Sequence, residues 1–190
     1  MSSIQELPER LSEYESLISM STYTLDAFPG AVYLCDSEGW VVRYNTEAAR
    51  LWGRVPVIGR DGDRFCGSYQ LFLLDGTPLP VDECPMAIAI KTGVETRNAD
   101  VVLQRPDGSR LVALVNIRAL RDRHGVIQGA INCFQDASAH HAMAQELVRK
   151  SDDLEDFFDN SAVGLHIVSG EGIIQRANKA ELALLGYTAE

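Results

Sequence analysis

AVYLCDSEGWVVRYNTEAARLWG, running from Ala31 to Gly53, is written again in similar form from Ala162 to Gly186, AVGLHIVSGEGIIQRANKAELALLG. Ala31, Val32 and Leu34 match Ala162, Val163 and Leu165 at an offset of 131, whereas Glu38, Gly39, Asn45, Leu51 and Gly53 match Glu171, Gly172, Asn178, Leu184 and Gly186 at 133. That alignment puts two extra residues in the turn of the second copy. Each copy reads as strand, tight turn, strand, then a helix opening on Asn. The turn Gly tolerates positive φ, and the Asn side chain accepts backbone N–H bonds as a helix cap. Self-similarity at the length of one domain predicts tandem domains.

On the N-terminal side, Ile4, Leu7, Leu11, Tyr14 and Ile18 recur in steps of three and four, the spacing of a coiled-coil seam. This predicts an amphipathic helix over residues 1–25, used either as a flap on its own domain or as a dimer interface. On the C-terminal side, residues 53–82 are rich in Gly and Pro and predict loops and short turns. Asp82-Glu83-Cys84-Pro85 reads as a helix start with Asp82 as N-cap, and the helix runs through MAIAIKT to Gly93. Three strands then follow, Asn98–Arg105, Ser109–Arg121 and Val126–Gln135, joined by the turns Pro106-Asp107-Gly108 and Asp122-Arg123-His124-Gly125. The order of elements implies an α+β fold, with a five-stranded antiparallel sheet and small helices on one face.

The expected organisation is an N-terminal helix (1–25), a complete domain (26–138), a linker helix (139–160) and the start of a second, truncated domain (161–190). On the linker, Met143, Leu147, Leu154 and Phe157 keep heptad spacing, interrupted by Lys150. A two-stranded start of a domain cannot bury its apolar face alone, so the second copy is expected to need a continuation or a partner.

Acids exceed bases 27 to 17, a formal net charge of −10, and no basic cluster is long enough to follow a phosphate backbone. Nucleic-acid binding is therefore not expected. No apolar run approaches the roughly 20 residues that span a bilayer, and the polar start is unlike a signal peptide. A cytoplasmic location without membrane contact by this segment is expected. Cys35, Cys66, Cys84 and Cys133 lack metal or disulfide spacing, and no metal site is expected.

The doubled block, the run GSYQLFLLDGTPLPVDECPMAIAIKTG (Gly67–Gly93) and the closing strands RPDGSRLVALVNIRALRDRHGVIQGAINCFQDAS together resemble the PAS family of sensory domains. The resemblance covers nearly the whole chain. The Gly67–Gly93 run is similar to a bacterial subgroup found in multi-domain sensor kinases, and Asp136-Ala137-Ser138 stands where the family typically ends in Asp-Ile-Thr. It implies a two-component sensor that relays a small-molecule or redox stimulus through a linker helix to an output domain, a histidine kinase above all, with no enzymatic activity in this segment. It also implies a homodimer formed through the N-terminal seam and the linker helix. The competing reading is a ligand-free module for dimerisation and protein interaction.

The cofactor follows from comparison with family patterns. Haem-binding relatives use a His in the helical region, and here no His precedes His124. Flavin-binding relatives use an Asn-Cys-Arg-Phe motif, whereas Cys66 is followed by Gly67-Ser68-Tyr69. Both groups are disfavoured, and the cofactor, if any, is unassigned.

Alternation places Ala113, Val115 and Ile117 on the core side of their strand. On the last strand composition does not rank Ala130, Asn132 and Phe134 against Ile131, Cys133 and Gln135, and the resemblance places the first set inward. Asn132 then becomes the leading candidate ligand contact, because a buried amide requires a partner. Phe134, Tyr69, Met86, Ile90, Val115 and Cys66 complete the candidate lining, with core packing the plainer role of Met86 and Ile90. Cys84, at a helix N-terminus, is the candidate redox residue, since the helix dipole lowers a thiol pKa.

Overall fold

The computed structural model describes residues 12–59 and 63–187. They fall into two compact units, one ending at Ser138 and the other beginning at Ala139.

The first unit opens with α1 (Glu13–Ile18) and α2 (Thr22–Asp26). The single N-terminal helix expected from the heptad spacing is thus broken in its described part, because Ser21 caps a new helix by accepting the Thr24 N–H. Ile4, Leu7 and Leu11 lie outside the described residues. Tyr14 and Leu17 pack with Leu25, Val32, Leu34 and Leu120, so this part of the segment lies as a flap on its own sheet. Glu13 pairs with Arg118 and the Arg43 guanidinium donates to the Ile18 carbonyl, which holds both ends of α1.

The sheet contains β1 (Ala31–Asp36), β2 (Val41–Tyr44), β3 (Gln70–Phe72), β4 (Thr96–Gln104), β5 (Arg110–Arg121) and β6 (Ile127–Asp136), in the order β2-β1-β6-β5-β4-β3. It has six strands, not five. The extra one is three residues of edge strand inside the loop-rich segment, too short to show a period. Between the strands lie α3 (Thr46–Trp52) and α4 (Pro85–Thr92). The N-cap of α4 is Cys84, not Asp82, and its side chain makes no capping bond; Pro85 occupies the first turn, where a missing N–H costs nothing.

Alternation along β1 separates two cores. Ala31, Tyr33 and Cys35 face α3 and α4 in the main core, whereas Val32 and Leu34 face the N-terminal flap. The small helices α3 and α4 therefore lie on one face of the sheet, as expected, and the N-terminal flap covers the other.

The second unit contains α5 (Ser138–Asn160, whose first residue closes the first unit), β7 (His166–Val168), β8 (Ile174–Ala177) and α6 (Lys179–Leu185). Its hydrogen bonds correct the alignment of the two copies. Tyr33 pairs with Tyr44, Leu34 with Arg43 and Cys35 with Val41; His166 pairs with Ala177, Ile167 with Arg176 and Val168 with Ile174. The irregularity falls at the same place in both hairpins, and the turns close alike through Asp36–Trp40 and Ser169–Ile173. The offset is therefore 133 throughout, the turns are equal in length, and Ala31 is equivalent to Gly164. The Ala-Val-x-Leu matches at 131 are out of register.

The strongest shared device is the Asn cap. Asn45 Oδ1 accepts the N–H groups of Val32 and Ala48, both at 2.9 Å, while its Nδ2 donates to the Gly30 carbonyl at 2.8 Å. Asn178 Oδ1 accepts from Leu165 and Glu181, both at 2.9 Å, and its Nδ2 donates to Val163 at 2.8 Å. Each amide ties the first strand to the helix start.

Candidate functional site

The inner face of the sheet, α3, α4 and the segment 64–68 border a cavity of about 20 Å³, lined by Tyr33, Trp52, Cys66, Leu71, Cys84, Pro85, Met86, Val101, Leu103, Val115, Ile117, Asn132 and Phe134. Such a volume accommodates about one water molecule. Of the sequence candidates, Asn132, Phe134, Val115, Met86 and Cys66 come together on its wall. Ile90 is buried in the surrounding core without lining the cavity. Tyr69 does not belong to it: this residue is 57% exposed and borders a separate surface groove with Phe72, Pro78 and Val81. Leu71, two residues on, takes the inward position.

Sequence reasoning missed Tyr33, Trp52, Leu71, Pro85, Val101 and Leu103 among the lining residues, of which Tyr33 and Trp52 are the aromatic ones. Tyr33 was accessible from the alternation of β1, which puts it on the same face as Ala31 and Cys35. Trp52 is the last residue of α3 and is fully buried. Its ring stacks on Phe134 (5.8 Å between centroids, 28° between planes) and meets Tyr33 and Tyr44 edge-on at 5.0 and 5.9 Å. Offset and edge arrangements of this kind suit the ring quadrupoles. Gly67 makes the approach feasible, since a Cβ there would lie 2.6 Å from the Trp52 ring. Gly67→Ala is therefore expected to overpack the core and cost about 1–3 kcal/mol in a denaturation curve.

The wall segment is held in an unfavourable backbone conformation. Phe65, a bulky residue, has φ of 60°, in the left-handed region. Two bonds hold it there: its N–H donates to the Gly39 carbonyl at 2.6 Å, and its carbonyl accepts from the Tyr33 hydroxyl at 3.0 Å. Arg64 stacks over both Trp40 and Phe65. Asn132 is 3% exposed and its Oδ1 accepts the Asn116 N–H at 3.3 Å, so the buried amide has a backbone partner.

Burial dominates the titrating groups. It raises Tyr33 and Cys35 well above their ordinary values, and it raises Cys66 against the opposing bonds from Ser68. For Cys84 burial and the nearby Cys66 outweigh the N–H groups of Ala87 and Met86 and push the thiol up to about 12. The dipole argument for a reactive Cys84 thiolate is thereby overturned. Two outcomes follow. At pH 7.5 iodoacetamide should label the exposed Cys133 at least about a hundredfold faster than Cys84. Because the folded pKa lies above the unfolded 9.0, the stability due to the protonated Cys84 is complete below pH 9 and is lost as the pH rises towards 12. Cys84→Ala should flatten that alkaline slope in urea titrations.

Among the described residues no group of three or more His, Cys, Asp or Glu is arranged to hold a metal ion, and no helix is long and apolar enough to cross a membrane.

Comparison with known proteins adds the following. A family model described as the PAS domain matches residues 29–139. Curated proteins give no match. Among solved structures, an RNA-binding light-oxygen-voltage receptor superimposes with a TM-score of 0.51 at 18% identity, covering 70% of this chain and 37% of that one. The PAS domain of the fruit-fly ELK potassium channel gives a TM-score of 0.47 at 12% identity, over 61% of this chain and 93% of that one. The chain thus spans well under half of the first of these structures, and the likeness is one of fold.

Proposed function

Because the chain belongs to the PAS domain family, we propose that it is a non-enzymatic sensory module in which a change at the inner cavity is relayed through β6 and α5 to an output domain, a histidine kinase of a cytoplasmic bacterial two-component sensor. The observation that carries this reading is the junction of sheet and helix. Ala137 N–H donates to the Val112 carbonyl at 2.8 Å, and the Ser138 hydroxyl accepts the Val112 N–H at 2.9 Å. The central strand β5 is therefore bonded to the first residue of α5, and displacement of one strains the other.

The second half of the proposal is pairing with another copy through α5. Met143, Leu147, Leu154 and Phe157 are between 68 and 73% exposed on a helix with no buried residue. A stripe of that kind gains by burial against a like stripe. Sedimentation equilibrium of the 190-residue chain should give a dimer, and Leu147→Glu with Leu154→Glu should give a monomer. A monomeric parent would remove the pairing. Incubation with ATP should leave the chain unphosphorylated.

The small cavity supports a second reading, a ligand-free interaction module whose core is filled by its own Trp52, Tyr33 and Phe134. Native mass spectrometry separates them: retained small-molecule mass supports perception in the cavity, and bare protein supports the interaction module. The acidic balance gives no support to nucleic-acid binding.

A further inference from the structure

Arg43 and Arg176 occupy the same place in the two copies, 133 residues apart, each paired with the same position of the preceding strand, Leu34 and Ile167. Each reaches back to the helix that precedes its own copy. Arg43 Nη1 donates to the carbonyl of Ile18, the last residue of α1, at 2.6 Å. Arg176 Nη2 lies 3.2 Å from Asp159 Oδ1 and its Nη1 3.8 Å from Glu155 Oε1, while the guanidinium stands over the Phe158 ring at 4.7 Å. Glu155, Phe158 and Asp159 stand at i, i+3 and i+4, so one guanidinium spans a full turn at the end of α5. On a helix of 3.6 residues per turn that face lies about a third of a turn from the stripe of Met143, Leu147, Leu154 and Phe157, so a helix paired through the stripe keeps the contact.

The two grips differ in what stands behind them. In the first unit Tyr14, Leu17 and Leu25 pack on Val32 and Leu34 as well, and Leu34 is fully buried. Its counterpart Ile167 is 48% exposed. In the second unit a guanidinium thus joins strand to helix where apolar packing is thin. Exposed ion pairs add little to stability and open readily, which suits a connection that is remade as a helix turns or slides.

We propose that Arg176 is the positioning residue through which α5 acts on the second unit: by gripping Glu155, Phe158 and Asp159 it makes β8, and with it the Asn178 cap of α6, follow the movement of the helix. The inference rests on the reading of α5 as the carrier and adds the contact that receives what it carries.

The test loosens α5 without touching the inner core. Ser151 is exposed on α5, and Ser151→Gly weakens the helix one turn before the contact. Hydrogen exchange is followed at the amides of β8 (Ile174–Ala177) in the intact chain. Ser151→Gly should speed that exchange at least about threefold with Arg176 present and leave it unchanged in the Arg176→Gln background. Exchanging the charges, Arg176→Asp with Asp159→Arg, should restore most of the response, which repair of packing alone would not do. About 1 M NaCl should reproduce Arg176→Gln in a chain with Arg176 intact, because the screening length falls to about 3 Å. Equal responses with and without Arg176, no recovery in the charge exchange, or a response untouched by salt would each overturn the proposal, and the salt measurement needs no change at Arg176. The perturbation starts inside α5, so failure of the core to reach the helix leaves this test intact. An α5 that answers the core beside a β8 indifferent to Ser151→Gly would remove the role of Arg176 and leave the relay standing.

Discussion

Trp52→Ala is expected to lower the stability of the first unit by roughly 3–5 kcal/mol, the largest loss available from one side chain in this core. The substitution removes a fully buried ring that stacks on Phe134 and meets Tyr33 and Tyr44 edge-on. The surroundings cannot close over the gap without moving segment 64–68, whose path is fixed by the Phe65 bonds to Gly39 and Tyr33. Urea unfolding followed by circular dichroism checks the size of the loss. Trp52→Phe should cost much less than Trp52→Ala, because it keeps an aromatic ring against Phe134 and deletes the unpartnered N–H. A loss below about 1 kcal/mol for Trp52→Ala would mean that the indole is not packed as described.

The second large effect belongs to Asn45. Asn45→Ala removes an acceptor shared by Val32 and Ala48 and a donor to Gly30, all at 2.8–2.9 Å in a buried setting. Loss of the cap costs about 1 kcal/mol and each buried group left unpaired about 1–3, so a total near 3–4 kcal/mol is expected by chemical denaturation. The equivalent Asn178→Ala strips the same three bonds from Leu165, Glu181 and Val163. Amide exchange at the start of α6 should then rise to the rate of an unstructured peptide, an outcome that reads the repeated clamp directly.

What the sequence revealed was whatever has a short period. Alternation by two placed Val115 and Ile117 inward, and the buried face of β6 is that of Asn132 and Phe134. The caps at Asn45 and Asn178 were legible because a helix start needs an acceptor at one position. Register was not legible: three Ala-Val-x-Leu identities at 131 beside five at 133 imply an insertion in the turn, whereas both turns hold the same number of residues. Edge strand β3 has three residues and no period to read. The charge state of Cys84 lay beyond sequence for a different reason. A helix N-terminus can be found from Pro85, but the burial that outweighs it depends on residues distant in the chain. Trp52 was hidden likewise, since its partners Tyr33, Gly67 and Phe134 meet only once the sheet has formed.

In the proposed relay, strain in the inner core reaches α5 through the β5–Ser138 junction. Hydrogen exchange of the α5 amides in the parent chain, in Gly67→Ala and in Gly67→Ala with Ser138→Ala tests it most directly. Overpacking against Trp52 should change exchange in the first two turns of α5 severalfold, and removing the Ser138 hydroxyl, which accepts from Val112, should cancel most of that change. Identical α5 exchange in all three proteins, with the core of Gly67→Ala measurably destabilised, would contradict the relay.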